Sequence, residues 1–378
     1  MALDIYIIAG EASGDFLGSH LIRSLYCLKP HLKIQGIGGS LMKKEGLESL
    51  FPMEKISLMG ITEIVPHIPQ LYKLIKLTIR DIVRSKPKVL VTIDSPGFCY
   101  RVAQSVKKLI PNLKIVHYVA PSVWAWRQNR AYKLSQFVDH LLTLFPFEPP
   151  YFLIHGLKTT FVGHPLTEQS LSVEQGFRDR LKIPKNAVIL NLLAGSRENE
   201  IKKLIPVFCK TVQRLSKSLP HLFILAPTLP MFESLIETAL LKTQLPHRVI
   251  TDPFDKYNSF RISDVALAAS GTVSLELALA NLPMVIAYKI SFLTYWIAKF
   301  LIKINNVCLV NVLLNKRIIP EYLQRDCHEK NLAPCLESLL EEQGALQKPY
   351  LSKVIHLLEN PEKIRPSEKA AQIIIDLL

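Results

Sequence analysis

The feature that most limits what this chain can become is an alternation that occurs twice. Short apolar runs are followed by longer segments of helical period: residues 5–8 then 16–28, 89–93 then 100–109, and a further run at 115–119. A second series follows, with 188–193 leading into 201–215, then runs at 222–226, 265–268 (followed by the helical segment 273–280) and 283–287. Runs this short and this continuous read as strands buried on both faces, which is what a parallel sheet covered by helices demands. The expected class is α/β, with two Rossmann-like doubly wound domains.

Between the two series lies Val162-Gly163-His164-Pro165 and then a polar stretch, 167–175. The boundary is therefore expected near 165, giving domains 1–165 and 166–345. Residues 346–378 have helical period and are long enough to return to the first domain or to cross to a partner. A length of 378 residues suits two domains of ordinary size. Two doubly wound halves are expected to face a central cleft at the carboxyl ends of both sheets, where such folds bind ligands.

Composition narrows the partners. Lys and Arg number 46 against 32 Asp and Glu, a net charge of +14, and the isoelectric point is near 9.4. Such a balance points to nucleic acid, an anionic membrane face or phosphorylated substrates. A mean hydropathy of +0.20 adds weight to the membrane. With 49% hydrophobic residues the chain is neither disordered nor low-complexity. Cysteines at 27, 99, 209, 308, 327 and 335 lack zinc-site spacing and read as reduced thiols of a cytosolic protein. The start of the chain has no basic segment and reaches Glu11 early, unlike a secretion signal. No stretch approaches the roughly 18 charge-free apolar residues of a transmembrane helix, so membrane contact is expected to be peripheral.

Candidate sites fall where strands end. Gly10, Gly14 and Gly18 follow the first strand, but their spacing departs from G-x-G-x-x-G and no acidic residue closes a second strand, which disfavours NAD. That turn is either close packing or a substrate loop using Glu11, Ser13 and helix-start N–H groups. Asp94 ends the run 89–93, where it can be a general base or the N-cap of the next helix. HYVAPSVWAWR (117–127) places Pro121, Trp124 and Trp126 beyond another strand, either lining a site or packing a corner. His117 fits a satisfied core histidine better than a catalyst.

In the second half, Gly195, Ser196 and Arg197 follow a strand and open a helix. A glycine permits close backbone approach, the hydroxyl and helix start donate hydrogen bonds, and the guanidinium can bridge phosphate oxygens, which together read as a diphosphate site. Ser270, Gly271 and Thr272 form a second such turn, with Glu276 placed to accept hydrogen bonds from ribose hydroxyls. Capping explains either turn alone; the two together favour a nucleotide. Residues 289–303 interleave Lys289, Lys299 and Lys303 with Phe292, Tyr295, Trp296 and Phe300, and 71–86 mixes Lys and Arg with aliphatics. Both have the pattern of helices lying in anionic interfaces, the alternative being a core-facing helix with a basic outer face. That alternative is stronger for 71–86, whose only aromatic is Tyr72.

At these residues the sequence resembles the lipid-A-disaccharide synthases, inverting glycosyltransferases of the GT-B type. The matching segments run in order along nearly the whole chain: AGEASGD (9–15), LMGITEI (58–64), TIDSPGF (92–98), HYVAPSVWAWR (117–127), FPFE (145–148), FVGHPL (161–166), GSRENEI (195–201), ASGTVSLE (269–276), PMVIAY (283–288) and IPEYLQ (319–324). The chain departs from the family's usual residues at Ala120, at Ala194 and in the residues flanking Asn311.

The resemblance implies transfer of 2,3-diacylglucosamine from its UDP derivative to the 6-hydroxyl of 2,3-diacylglucosamine 1-phosphate, giving a β-1,6 disaccharide and UDP with inversion. It implies Asp94 as the base, since a primary hydroxyl attacks poorly unassisted. It further implies that Asn311 joins Gly195, Ser196, Arg197, Ser270, Gly271, Thr272 and Glu276 at the UDP site, and that Glu11, Ser13, Met59, Pro121 and Trp124 belong to the acceptor or acyl-sugar loop. Phe292, Trp296, Lys299 and Lys303 would meet an anionic membrane on the inner face of the inner membrane. A homodimer with exchanged C-terminal segments is also suggested. No cofactor, metal or nucleic acid is expected, in keeping with the lack of a D-x-D triplet. A peptidoglycan-precursor transferase or a UDP-GlcNAc 2-epimerase would share the fold and nucleotide turns but not HYVAPSVWAWR. A basic nucleic-acid-binding protein would gather its charge with exposed aromatics on sheet faces, whereas here the charge is spread over amphipathic helices.

Overall fold

The computed structural model describes residues 3–57, 64–169, 174–289 and 306–378. Two compact units divide the chain: Met1–Glu168 with Leu358–Leu378, and Gln169–Leu357.

The first unit is built on six parallel strands: β1 (Ile5–Ala9), β2 (Ile34–Ile37), β3 (Val89–Ile93), β4 (Lys114–Tyr118), β5 (His140–Thr143) and β6 (Lys158–Phe161). Their order is β2-β1-β3-β4-β5-β6. β1 and β3, the central pair, are buried at every position, as their unbroken apolar sequences require. The strand order turns back between β1 and β3, which are in register with Ala9 beside Ile93. A crevice opens beyond the carboxyl ends at such a reversal, because the flanking connections leave to opposite faces.

The second unit repeats the plan with β7 (Val188–Leu193), β8 (Leu222–Pro227), β9 (His247–Ile250), β10 (Val265–Ala269), β11 (Met284–Tyr288) and β12 (Glu321–Leu323), in the order β12-β11-β10-β7-β8-β9. Here the reversal lies between β7 and β10. Helix Glu198–Leu215 covers one face with Ile201, Leu204, Ile205, Phe208, Val212 and Leu215, the spacing of one helical stripe.

The periodicity located the central strands and missed β2, β5, β6, β9 and β12. β6, β9 and β12 lie at sheet edges and are only partly buried, so they carry no continuous apolar run. The divisions fall at 168/169 and 357/358, against expected limits of 165 and 345. Helix Gln343–Leu358 stays with the second unit because buried Gln347 clamps β11, accepting from Met284 N at 3.0 Å and donating to Met284 O at 3.2 Å. The chain then re-enters the first unit. His164 N donates to Leu358 O, and Asn360 Nδ2 donates to Val162 O at 2.9 Å. Helix Pro366–Ile375 buries Ala370, Ala371 and Ile374 in the first core beside helix Ala12–Leu28.

Candidate active site

In the first unit the reversal point is occupied by the AGEASGD turn and by Asp94. Asp94 and Ser95 both have left-handed backbones, with φ of 49° and 45°. Two consecutive non-glycine residues in this region are costly, and such strain concentrates at functional turns. Asp94 N donates to Tyr118 O at 3.0 Å, which ties the turn to β4. Ser13 Oγ, from the start of helix Ala12–Leu28, donates to Asp94 Oδ2 at 3.4 Å. Burial pushes the Asp94 carboxyl above its ordinary value, while hydrogen bonds from Ser95 N and Ser13 oppose the rise. Gly10 is what allows the two turns to meet: a Cβ there would lie 2.4 Å from Ser95 Oγ. Ser95 Oγ is itself buried without a hydrogen-bond partner.

The other acid of the AGEASGD segment beyond Glu11, Asp15, has another task. It is buried and accepts from Gly39 N, Leu41 N and Met42 N at 2.8 to 3.0 Å, capping helix Ser40–Lys44 from across the fold.

Beyond β4, Trp124 stands edge-on to Phe147 with centroids 5.4 Å apart, and Phe147 stacks on Phe145 at 5.5 Å. Phe145 in turn meets His164 at 5.5 Å. The segments HYVAPSVWAWR, FPFE and FVGHPL thus form one aromatic cluster at the ends of β4, β5 and β6. Glu148 is buried beneath it and accepts from Leu144 N and Phe145 N at 3.2 and 3.0 Å. Burial drives its carboxyl up to about 8 against these hydrogen bonds. His117 is buried and paired with Thr92 Oγ1 at 2.8 Å. Desolvation lowers it to about 3, so it stays neutral and structural.

In the second unit, the turns after β7 and β10 line one cavity of about 230 Å³. Gly195, Ser196, Ser270, Gly271, Thr272 and Glu276 all stand on its wall. Gly195 has φ of 114°, and a Cβ there would sit 2.9 Å from Glu200 Oε2, so only glycine suits the position. Ser270 Oγ donates to Val307 O at 2.9 Å, fixing the β10 turn.

Two expected ligands are placed differently. Arg197 is paired with Glu200 at 3.1 Å and has 79% of its side chain exposed; Glu200, which also accepts from Tyr288 OH, takes the place on the wall. Asn311, expected at UDP, has a side chain that is buried and hydrogen-bonded within the protein at each donor and acceptor position. Its Nδ2 donates to Ile319 O and Glu321 Oε1, and its Oδ1 accepts from Ile318 N and Ile319 N, all within 2.8 Å. Two donors and two acceptor sites exhaust an amide. Glu321 completes the staple by accepting from Val307 N and Cys308 N.

The sequence did not single out Lys256, which the cavity wall includes. It lies on helix Pro253–Ile262, whose start carries an Asp-Pro signal that the sequence reading passed over: the Asp252 carboxylate accepts from Phe254 N and Asp255 N. Lys256 forms an ion pair with Glu276. Met59, Phe292, Trp296, Lys299 and Lys303 lie outside the described residues. Among the described residues, no cluster of three or more His, Cys, Asp or Glu side chains is arranged to hold a metal ion, and no helix is long and apolar enough to cross a membrane.

Residues 5–374 match the family model for lipid-A-disaccharide synthetase. The chain is 40% identical to a lipid-A-disaccharide synthase of Rhodospirillum centenum over 99% of its own length and 94% of that protein. It is 41% identical to that of Rickettsia bellii over 98% of both. Solved structures of similar fold include a UDP co-structure of S. aureus MnaA (TM-score 0.61, 14% identity, 99% of this chain and 95% of that one). Another is Acinetobacter baumannii MurG (TM-score 0.60, 12% identity, 100% of both). At such identities the likeness is one of fold.

Proposed function

Because this chain belongs to the lipid-A-disaccharide synthetase family, and so is a glycosyltransferase, we propose that it moves 2,3-diacylglucosamine from UDP to the 6-hydroxyl of 2,3-diacylglucosamine 1-phosphate. What carries the reading is the cavity at the β7–β10 reversal, where two small-residue turns and Glu276 stand on one wall. Backbone N–H groups and hydroxyls of these turns suit a diphosphate, and the Glu276 carboxylate suits ribose hydroxyls. UDP gathers negative charge as it departs, and fixed donors there stabilise it without reorganising.

Asp94 is the general base in this proposal. The acceptor hydroxyl gives its proton to Asp94 as its oxygen attacks the anomeric carbon from the face opposite UDP, which inverts that carbon. A carboxyl raised by burial is a better proton acceptor than a solvated one, and the hydrogen bond from Ser13 favours its ionised form. The first unit then serves the acceptor and the second the UDP-sugar, with Glu11, Pro121 and Trp124 bordering the acyl-sugar.

The acylated substrates imply work at a membrane surface, on the inner face of the inner membrane, with the basic aromatic segment 289–303 as the first candidate for contact. We also propose a homodimer, for which light scattering should give twice the chain mass. The deciding experiment incubates purified protein with both acylated sugars in detergent and follows disaccharide and UDP. Formation of both in equal amounts is expected. UDP release without disaccharide would replace the proposed acceptor with water.

A further inference from the structure

The charges on the cavity wall do not suit a diphosphate as they stand. Among the described residues its charged groups are Glu200, Glu276 and Lys256, two carboxylates against one ammonium, whereas the ligand brings further negative charge. Arg197, the expected counter-charge, is committed to Glu200 and largely in water, where its field is screened. Lys256 is held differently. Its ammonium is paired with Glu276, and it lies over the rings of Tyr257 and Phe260 at 5.4 and 5.7 Å. Its side chain is 30% exposed and that of Glu276 17%.

We infer that Lys256 is the residue that reads the diphosphate of a nucleoside diphosphate in this cavity, acting from within its ion pair with Glu276. This rests on the assignment of the cavity to UDP. An ammonium has three N–H donors, and the carboxylate needs one of them. The others remain for phosphate oxygens while the pair stays intact. Ribose hydroxyls donating to the free Glu276 oxygen would spread its charge and leave the ammonium more available to the phosphates. The ion pair and the two rings orient the lysine beforehand, so little side-chain freedom is lost on binding.

The test compares UDP with uridine in equilibrium titrations of the wild type, Lys256→Met and Lys256→Arg. The inference expects Lys256→Met to weaken UDP binding by about tenfold or more, as loss of a charge-assisted hydrogen bond does, with uridine changed less than about twofold. Lys256→Arg should restore most of the UDP affinity. Equal losses for UDP and uridine would overturn the inference, since the lysine would then serve only to orient Glu276. Undiminished UDP binding by Lys256→Met would also overturn it. If Lys256→Met does not fold, the UDP-to-uridine affinity ratio of Lys256→Gln carries the same decision. Failure of the wild type to bind UDP would instead remove the assignment of the cavity.

Discussion

Asp94 is presented by a left-handed backbone turn, a conformation that Asp tolerates better than most side chains do. The left-handed turn at Asp94 and Ser95 places the carboxylate against Ser13 on a neighbouring helix, 81 residues away in sequence. Asp94→Asn keeps the shape and removes the proposed base, so transfer should fall by about 10²–10⁴-fold while UDP affinity holds. A variant retaining more than about a tenth of wild-type turnover would remove Asp94 from that role. Ser13→Ala deletes a hydrogen bond that favours the ionised carboxylate. The Asp94 pKa should rise further, and the acid limb of the pH–rate profile should move to higher pH. An unmoved limb with a uniformly lower rate would mean that Ser13 only shapes the turn. Glu148 makes a separate prediction, concerning stability. Its folded pKa of about 8 exceeds the ordinary 4.5, so its neutral form is favoured in the fold. The stability this contributes is complete below about pH 4.5 and is lost as pH rises towards 8. Thermal midpoints measured across that window should fall more steeply for wild type than for Glu148→Gln, and parallel curves would contradict the assignment.

At the scale of elements, the connections matter more than the strands. The Gly195 turn exists because its backbone conformation excludes a side chain and because Glu200 approaches closely. Nearby, the segment after residue 306 is held by the Asn311–Glu321 staple, which fastens helix Leu309–Leu314 to β12. Asn311→Ala leaves several buried backbone and carboxylate groups without partners. The expected cost is about 3 kcal/mol, from about 1–3 kcal/mol for each unsatisfied group with partial relief by water. Chemical denaturation should show the loss, with UDP affinity of the folded variant nearly intact. A variant as stable as wild type but unable to bind UDP would return Asn311 to the nucleotide site.

For the molecule as a whole, the chain leaves the first unit at 168 and returns to it at 358, so the first core is complete only after the last helix has been made. The net charge of +14 also belongs to this scale. Helix Ile64–Ser85 presents Tyr72 and Leu77, 57% and 44% exposed, and carries Lys73, Lys76, Arg80 and Arg84. Lys76 lies over the Tyr72 ring at 4.5 Å. Each basic residue near an anionic surface contributes roughly 1 kcal/mol before screening. The protein should therefore co-sediment with anionic vesicles, less so as salt rises, and Phe292→Ser with Trp296→Ser should weaken that more than UDP binding. If that double variant folds and sediments like wild type, the docking surface lies elsewhere, first on helix Ile64–Ser85.

Sequence by itself determined the two α/β series, the central strands and the turns that carry Asp94, Gly195 and Ser270, because apolar period and small-residue turns are local properties of the chain. It did not reveal the edge strands, whose partly exposed residues leave no continuous apolar run, nor the interior strand β5, which is only four residues long and begins and ends on polar His140 and Thr143. Only tertiary structure decided that Asn311 is a saturated staple, that Asp15 caps a distant helix and that Lys256 shares a wall with Glu276. Those roles depend on which strand ends become neighbours. The order β12-β11-β10-β7-β8-β9 brings the turn after β7 to the turn after β10, a pairing set by how helices cover both faces of a sheet and not by the residues within either turn.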